Sequence, residues 1–169
     1  MSPNGMQEIS KEKINSVIEL FSNGNFDAAL NTLEDLSKDY PKESLLFNIK
    51  GACYAGLGQL DNAVKSYQDA IIINPNYSKA HYNLGGAFHE IGALDESVQS
   101  YLKSLMIEPD YAEAHNNLGN VYRQQKLLDK AVNSYMRAIS INPDYVEAHY
   151  SIGLVFQDLG QIDSMISHI

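Results

Sequence analysis

The chain has 169 residues, of which 44% are hydrophobic and 20% charged, which is the composition of an ordinary globular protein. Its formal net charge of −9 argues against a nucleic-acid partner, because binding phosphates requires a basic surface. Its apolar runs are far shorter than the roughly 18 residues of a membrane-spanning helix, so no membrane segment is predicted.

The N-terminal stretch MSPNGMQEIS and the cysteine content bear on the compartment. The stretch lacks the basic start and apolar run of a secretory signal. The single cysteine, Cys53, excludes an intrachain disulfide and fits a reducing compartment, so we expect the protein to be cytoplasmic. Cys53 occupies a position held elsewhere by alanine or valine, which predicts a small buried hydrophobic residue.

A 34-residue period follows a short leader at 1–9. Three classes of residue keep this interval: Pro41, Pro75, Pro109 and Pro143; Gly51, Gly85, Gly119 and Gly153; Tyr67, Tyr101 and Tyr135. A fixed period of this length indicates stacked repeats that complete one another's core. We therefore divide the chain into repeats 10–43, 44–77, 78–111 and 112–145 and a partial repeat at 146–169, all in a single array.

The repeat 10–43 is degenerate. Val17 stands in the place of the periodic glycine and Leu20 in the place of an aromatic residue, while Pro41 is retained. A degenerate first repeat is expected where one side has no neighbour.

The repeat 78–111 shows that each repeat contains two helices. The first helix starts at Ser78, predicted as its N-cap, and stops at Gly92, predicted as its C-cap. The second is predicted over 94–107, because the following Pro109 opposes its continuation. Small residues are expected to face each other between the two helices, at Gly85 on one side and Ser97 and Ser104 on the other. No strand is predicted, so the fold class is all-α.

The partial repeat 146–169 has a complete first helix, and its second helix is predicted to be interrupted at Ile169. The nine residues QIDSMISHI are about half of what the other repeats use. Arrays need polar ends, so the chain is expected either to be the front part of a longer polypeptide or to pair with another copy through this end.

The spacing as a whole resembles the tetratricopeptide repeat, which is also 34 residues long. The matching motifs are HYNLGGAF at 81–88, HNNLGNVY at 115–122 and AVNSY at 131–135, followed by Ala138 and Pro143. The resemblance implies a right-handed α-solenoid of antiparallel helix pairs whose first helices line a concave groove. The position of the motif's usual aromatic residue is occupied here by Phe47, His81, His115 and His149.

The histidines and the remaining polar residues do not form a recognisable catalytic or metal-binding set. Equivalent histidines of stacked repeats are expected roughly 10 Å apart, a helix-packing distance. Zinc needs its nitrogen ligands about 2 Å from one centre. We therefore interpret His81, His115 and His149 as structural, together with His89 and His168. The sequence predicts no catalysis, no metal and no cofactor.

The polar side of the first helices is the candidate binding site. In 112–125 the expected core residues are His115, Leu118, Gly119 and Tyr122, so the polar residues lie on other faces. The predicted peptide-binding groove consists of Asn48, Lys79, Tyr82, Asn83, Asn116, Asn117, Asn120, Arg123, Gln124 and Tyr150.

Asparagine suits a peptide partner because its amide offers both donors and an acceptor, the complement of a peptide main chain. Asn83 and Asn117, one repeat apart, are expected to hold such a main chain; the alternative is that they are only solvated. Their spacing resembles the protein-substrate arm of O-linked N-acetylglucosamine transferases. Tetratricopeptide clamps for chaperone tails need basic residues where this chain has Glu113 and Asn117, so that mode is rejected.

The predicted function is a protein–protein interaction scaffold that binds a peptide or protein segment in the groove. Acidic residues around Lys79 and Arg123, namely Glu90, Glu113, Glu147 and Asp158, favour a neutral or basic partner. Two alternatives remain open. One is a substrate-recruiting arm of a larger transferase or oxygenase, and the other is a self-associating structural scaffold.

Overall fold

The computed structural model describes residues 9–166, with side chains through residue 160. Most of the predicted leader at 1–9 and the last residues, including His168, lie outside this part. Residues 9–166 contain helices and no strand, which confirms the all-α class. The helices are α1 Lys11–Ser22, α2 Phe26–Asp39, α3 Ser44–Gly56, α4 Leu60–Ile73, α5 Ser78–Ile91, α6 Leu94–Ile107, α7 Ala112–Gln124, α8 Leu128–Ile141 and α9 Val146–Ile166.

The chain forms two compact bodies, and their division lies within α5. The N-terminal body is Met1–Ala87 and the C-terminal body is Phe88–Ile169. Within the described residues, no helix is long and apolar enough to span a membrane. The boundaries of the repeats and their grouping in one array stay predictions.

Tight turns join the two helices of each pair, and α5 shows how they form. Gly92 has φ +87°, a left-handed conformation that favours glycine. Its N–H donates to the carbonyl of His89, while the N–H of Ala93 donates to the carbonyl of Phe88. This pair of bonds is the Schellman arrangement that satisfies the last carbonyls of a helix. The predicted helix end at Gly92 is confirmed, whereas Ser78 is already the first residue of α5.

The turn after α7 uses a lysine in place of glycine. Lys126 has φ 63°, and its N–H donates to the carbonyl of Arg123. It stands 34 residues after Gly92 in the sequence. A residue with a side chain is strained in this region of backbone space, so the fold holds Lys126 there against its preference.

Helix α9 differs from the prediction for the partial repeat. It runs from Val146 to Ile166 without a turn at Gly160, the position equivalent to Lys126. The continuous helix keeps the backbone hydrogen bonds that a turn at Gly160 would interrupt.

The core of the N-terminal body lies between α1, α2 and α3. Val17, Leu33, Leu46 and Cys53 are each fully buried there. The predicted small buried role of Cys53 is confirmed, and burial raises the pKa of its thiol to about 11. The thiol is therefore protonated and unreactive at neutral pH.

Close packing within a helix pair depends on a glycine and a tyrosine. A Cβ added to Gly51 would lie 2.5 Å from Cε1 of Tyr67, and one added to Gly119 would lie 2.6 Å from Cε1 of Tyr135. At these two positions a large ring therefore faces the glycine. The flat ring uses the space that a missing side chain leaves.

Candidate functional site

The predicted groove residues divide between the two bodies. Asn48 on α3 and Lys79, Tyr82 and Asn83 on α5 belong to the N-terminal body. The C-terminal body contains Asn116, Asn117, Asn120, Arg123 and Gln124 on α7 and Tyr150 on α9.

In the N-terminal body, one asparagine supports another. The Nδ2 atom of Asn83 donates to Oδ1 of Asn48 at 3.0 Å, which joins α5 to α3. Asn48 is only 6% exposed, so its role is to hold Asn83, which is half-buried. Lys79 is exposed and Tyr82 is half-buried. The surface-accessible part of this predicted set is thus Lys79, Tyr82 and Asn83.

In the C-terminal body, Asn116 is buried with part of its hydrogen-bonding capacity unused. The side chain is 5% exposed, and among the described residues its Oδ1 has no hydrogen-bond partner. Its Nδ2 donates to Oδ1 of Asn117 at 3.5 Å, a long hydrogen bond. A buried acceptor without a partner costs about 1–3 kcal/mol. Asn116 lies inside the fold, in contrast to its prediction as a groove residue exposed to a partner.

Asn120 connects the candidate groove to the core. Its Oδ1 accepts a hydrogen bond of 2.8 Å from the hydroxyl of Tyr135, the ring that packs on Gly119. Burial raises the pKa of Tyr135, so its hydroxyl stays protonated and continues to donate. Because the carbonyl of Asn120 is engaged, its NH2 group is the part left to donate to a partner.

Two further contacts join α7 to α5 and to α9, the first helices of the neighbouring repeats. Nε of Arg123 lies 2.8 Å from Oδ2 of Asp158 on α9, and Nε2 of His89 lies 2.7 Å from Oε1 of Gln124. Since a carbonyl oxygen only accepts, Nε2 of His89 must carry the proton. Each pair is separated by 35 residues, as is Asn48 from Asn83. These contacts link successive first helices.

The side chains around these contacts enclose a cleft in the C-terminal body. Its lining consists of His89, Asn120, Arg123, Gln124, Lys126 and Asp158. The sequence predicted Asn120, Arg123 and Gln124 as site residues and missed His89 and Lys126. The spacing of 35 residues between partly polar positions is the signal that could have found His89. Tyr150 is 68% exposed on α9 and is outside the lining of this cleft.

The three periodic histidines stabilise the turns that follow the second helices. Nε2 of His81, His115 and His149 lies 3.0, 2.9 and 2.8 Å from the carbonyl oxygen of a proline six residues earlier, Pro75, Pro109 and Pro143 respectively. The ring thus occupies the slot of an aromatic residue and also satisfies a turn carbonyl. In the described part of the chain, no group of three or more His, Cys, Asp or Glu residues is placed to hold a metal ion.

The repeat motif decides the family. A family model described as TPR repeat matches residues 51–92, 85–126 and 119–160, which together cover more than half of the chain. The chain belongs to the tetratricopeptide repeat family. Tetratricopeptide repeats commonly act as scaffolds for protein interactions.

Solved tetratricopeptide repeat structures share the fold. MamA from Desulfovibrio magneticus RS-1 is 20% identical with a TM-score of 0.82, over 97% of this chain and 93% of that one. TTC0263 from Thermus thermophilus is 21% identical with a TM-score of 0.73, over 83% and 78%. The first TPR of Spaghetti (RPAP3), bound to the HSP90 peptide SRMEEVD, is 20% identical with a TM-score of 0.68, over 69% and 93%. A comparison with curated protein sequences gives no match.

Proposed function

We propose that the chain is a cytoplasmic, non-catalytic interaction module that binds an extended segment of another protein against the first helices. The observation that carries this proposal is the polar cleft of the C-terminal body around Asn120, Arg123 and Gln124. Membership of the tetratricopeptide repeat family supports the general role. No cofactor, metal or nucleic acid is part of the proposal.

The amides of Asn120 and Gln124 supply donors of the same kind. Tyr135 holds the carbonyl of Asn120 and His89 holds that of Gln124, so each side chain offers its NH2 group. Four residues along a helix span about 6 Å. Carbonyls on one side of an extended peptide repeat at about 6.6 Å, twice the rise per residue. A short extended segment can therefore accept hydrogen bonds from both amides without its side chains being read.

We propose a neutral or basic partner because acidic residues outnumber basic ones on α7 and α9. Asp158 pairs with Arg123, and Glu113 and Glu147 are exposed on the same two helices, while the exposed Lys126 is the remaining cation of the cleft lining. The peptide bound by the RPAP3 repeat is SRMEEVD, whose last four residues include three acidic ones. Glu113 and Asn117 stand where a carboxylate clamp needs basic residues, so we propose a different class of ligand here.

The remaining predicted residues complete the proposed site. In the N-terminal body, Lys79, Tyr82 and Asn83 contact the partner, with Asn48 as the support of Asn83. In the C-terminal body, Asn117 and Tyr150 extend the surface.

Peptide selection followed by calorimetry tests the proposal. A phage-displayed library of random 12-residue peptides is selected on the whole chain, and the best peptide is titrated into the wild type, Asn120→Ala and Gln124→Ala. Each lost neutral hydrogen bond should weaken binding by about 2–10-fold. The matched control is Gln99→Ala, at an exposed position of α6, and it should bind like the wild type. Unchanged affinity in both cleft variants, with unchanged melting temperature, contradicts the proposal.

A second candidate function is a recruiting arm within a larger transferase or oxygenase. The observation in its favour is the asparagine spacing, Asn83 and Asn117 one repeat apart, which resembles the protein-substrate arm of O-linked N-acetylglucosamine transferases. Sequencing the gene beyond the codon for Ile169 tests it. A stop codon there excludes this candidate, and an in-frame enzyme domain supports it.

A third candidate is self-association, for which α9 supplies the observation. Phe156 is 61% exposed and Val146 73% exposed, and a Cβ on Gly153 would meet no atom within 4 Å. The equivalent Gly119 is covered by Tyr135. Analytical ultracentrifugation at high concentration decides this candidate, because a strict monomer excludes it.

A further inference from the structure

An apolar groove lies on the other side of α7 from the polar cleft. It is a cavity of about 400 Å³ between α6, α7 and α8 in the C-terminal body. Leu102, Leu105 and Met106 form its α6 wall, and Leu118 and Tyr122 of α7 form its floor. Met106 is 74% exposed and Leu102 is 42% exposed. Exposed apolar side chains that line a concave surface indicate a site of interaction.

The repeat itself does not require an apolar residue at position 102, because the equivalent residue of the N-terminal body belongs to an ion pair. Leu102 and Leu118 lie 68 residues, or two repeats, after Glu34 and Lys50. Nζ of Lys50 lies 2.7 Å from Oε2 of Glu34. This contact holds the pKa of Glu34 below its usual value, chiefly through the hydrogen bond and charge of Lys50. Leu118 is the buried leucine of the repeat motif, as Leu84 is, whereas the exposed Leu102 stands where the fold accepts a charged residue.

The charged side chains that line the groove are both basic, in a chain whose net charge is −9. Nζ of Lys130 lies 5.5 Å from the ring centre of Tyr122, above the apolar floor. Nη2 of Arg137 lies 4.0 Å from Oδ1 of Asp110, but both side chains are more than half exposed. Solvent screens such a pair, so Arg137 keeps most of its attraction for another carboxylate.

We propose that this groove binds an amphipathic helix of another protein, with leucine-type residues on one face and acidic residues at its flanks. The apolar face packs on Leu102, Met106 and Tyr122, and the acidic flanks meet Lys130 and Arg137. Methionine is flexible, so Met106 adapts to the shape of the incoming side chains. The site is separate from the polar cleft and takes a ligand of the opposite charge preference.

Two designed peptides test the chemistry of the occupant. Both are 18-residue fluorescent helices with leucines at i, i+3, i+4 and i+7; one has glutamates at the flanking positions and the other has lysines. Fluorescence anisotropy should show the acidic peptide binding at least about tenfold more tightly, with the difference shrinking as salt is added. Equal affinity, or no saturable binding of the acidic peptide, overturns the proposal.

Introducing an ion pair into the groove tests whether the acidic peptide binds there. Leu102→Glu combined with Leu118→Lys copies the pair Glu34 and Lys50 into the groove, and the acidic peptide should then bind at least about tenfold more weakly. The control is Ile72→Glu, which charges an exposed apolar residue of α4 and should leave binding unchanged. Circular dichroism checks that the double variant folds. If it does not, Met106→Glu, at a 74% exposed position, replaces it and should give the same loss.

The double variant also separates this occupant from a second copy of the chain. Sedimentation of the wild type should give a monomer at concentrations where the acidic peptide is bound. Self-association that disappears in the double variant would overturn the proposal, because the groove would then be filled by the chain itself.

Discussion

Asn48 and Asn116 occupy equivalent positions two repeats apart, and both are buried, at 6% and 5% exposure. Asn48 accepts a hydrogen bond from Asn83, 35 residues further along the chain. The residue 35 positions after Asn116 is Ser151, whose hydroxyl hydrogen-bonds to Tyr135. Because the side chain of Ser151 is shorter and bonds to another residue, Oδ1 of Asn116 has no hydrogen-bond partner among the described residues. Whether a buried amide on a first helix is satisfied therefore depends on the side chain that the next repeat supplies.

The largest change in stability is expected from substitutions of Tyr135, the residue that hydrogen-bonds to the hydroxyl of Ser151. Tyr135→Ala should lower the free energy of unfolding by about 3–5 kcal/mol, because it leaves a cavity against Gly119. Tyr135→Phe keeps the ring and loses only the hydroxyl, so it should cost about 1 kcal/mol. Urea unfolding followed by circular dichroism measures both. Equal losses would mean that the ring does not fill the space at Gly119.

Leucine substitutions at the two asparagines compare them directly. Asn48→Leu removes the acceptor of Asn83 and should destabilise the chain by about 1–3 kcal/mol. Asn116→Leu removes an amide whose carbonyl is unsatisfied, so the free energy of unfolding should stay the same or rise by about 1 kcal/mol. Chemical denaturation of the two variants side by side checks the difference. Equal destabilisation by the two changes would show that Asn116 has a partner equivalent to Asn83.

One substitution should supply the hydrogen bond that Oδ1 of Asn116 lacks among the described residues. Ser151→Asn places in the C-terminal body the amide that Asn83 supplies in the N-terminal body. It should donate to Oδ1 of Asn116 and raise the melting temperature, through about 0.5–1.5 kcal/mol of added stability. In the Asn116→Leu background the same substitution should have no such benefit. A gain that persists in that background would assign it to another contact.

Alkaline pH should lower the stability of the region around Cys53 and not that of the region around Val121, and neutral pH should affect neither. The equivalent of Cys53 near Asn116 is Val121, which has no proton to lose. Because burial raises the pKa of Cys53 from 9.0 to about 11, the unfolded thiol ionises first, and stability falls as pH rises through this window. Cys53→Val should reduce that fall, as measured by denaturation at pH 8, 9, 10 and 11. An identical pH dependence of the two proteins would contradict the assignment.

Periodicity was sufficient to predict the helix pairs from α1 to α8, the buried Cys53 and the structural role of His81, His115 and His149. Those features depend on which face of a helix each residue occupies, and spacing alone determines that. It also predicted the end of α5 at Gly92, because a left-handed turn favours glycine. The same reasoning did not predict the continuous α9, since the competition between a turn and a longer helix depends on packing.

The contacts of the groove residues were beyond prediction from the sequence. Whether Asn48 faces solvent or Asn83, and whether Arg123 pairs with Asp158, depends on the reach of side chains between helices 35 residues apart. The sequence therefore placed Asn48 and Asn116 on the surface, although both are buried. It identified the polar character of α7 and missed that these side chains also join the helices.

The central claim is that Asn120 and Gln124 donate their NH2 groups to a peptide main chain. The most direct test is a ¹⁵N–¹H correlation spectrum of the side-chain amides during titration with the selected 12-residue peptide. The claim predicts that the NH2 signals of both residues shift with the same midpoint, and that they still shift when the peptide side chains are replaced one by one with alanine. Saturable binding that leaves these two signals unmoved would contradict it.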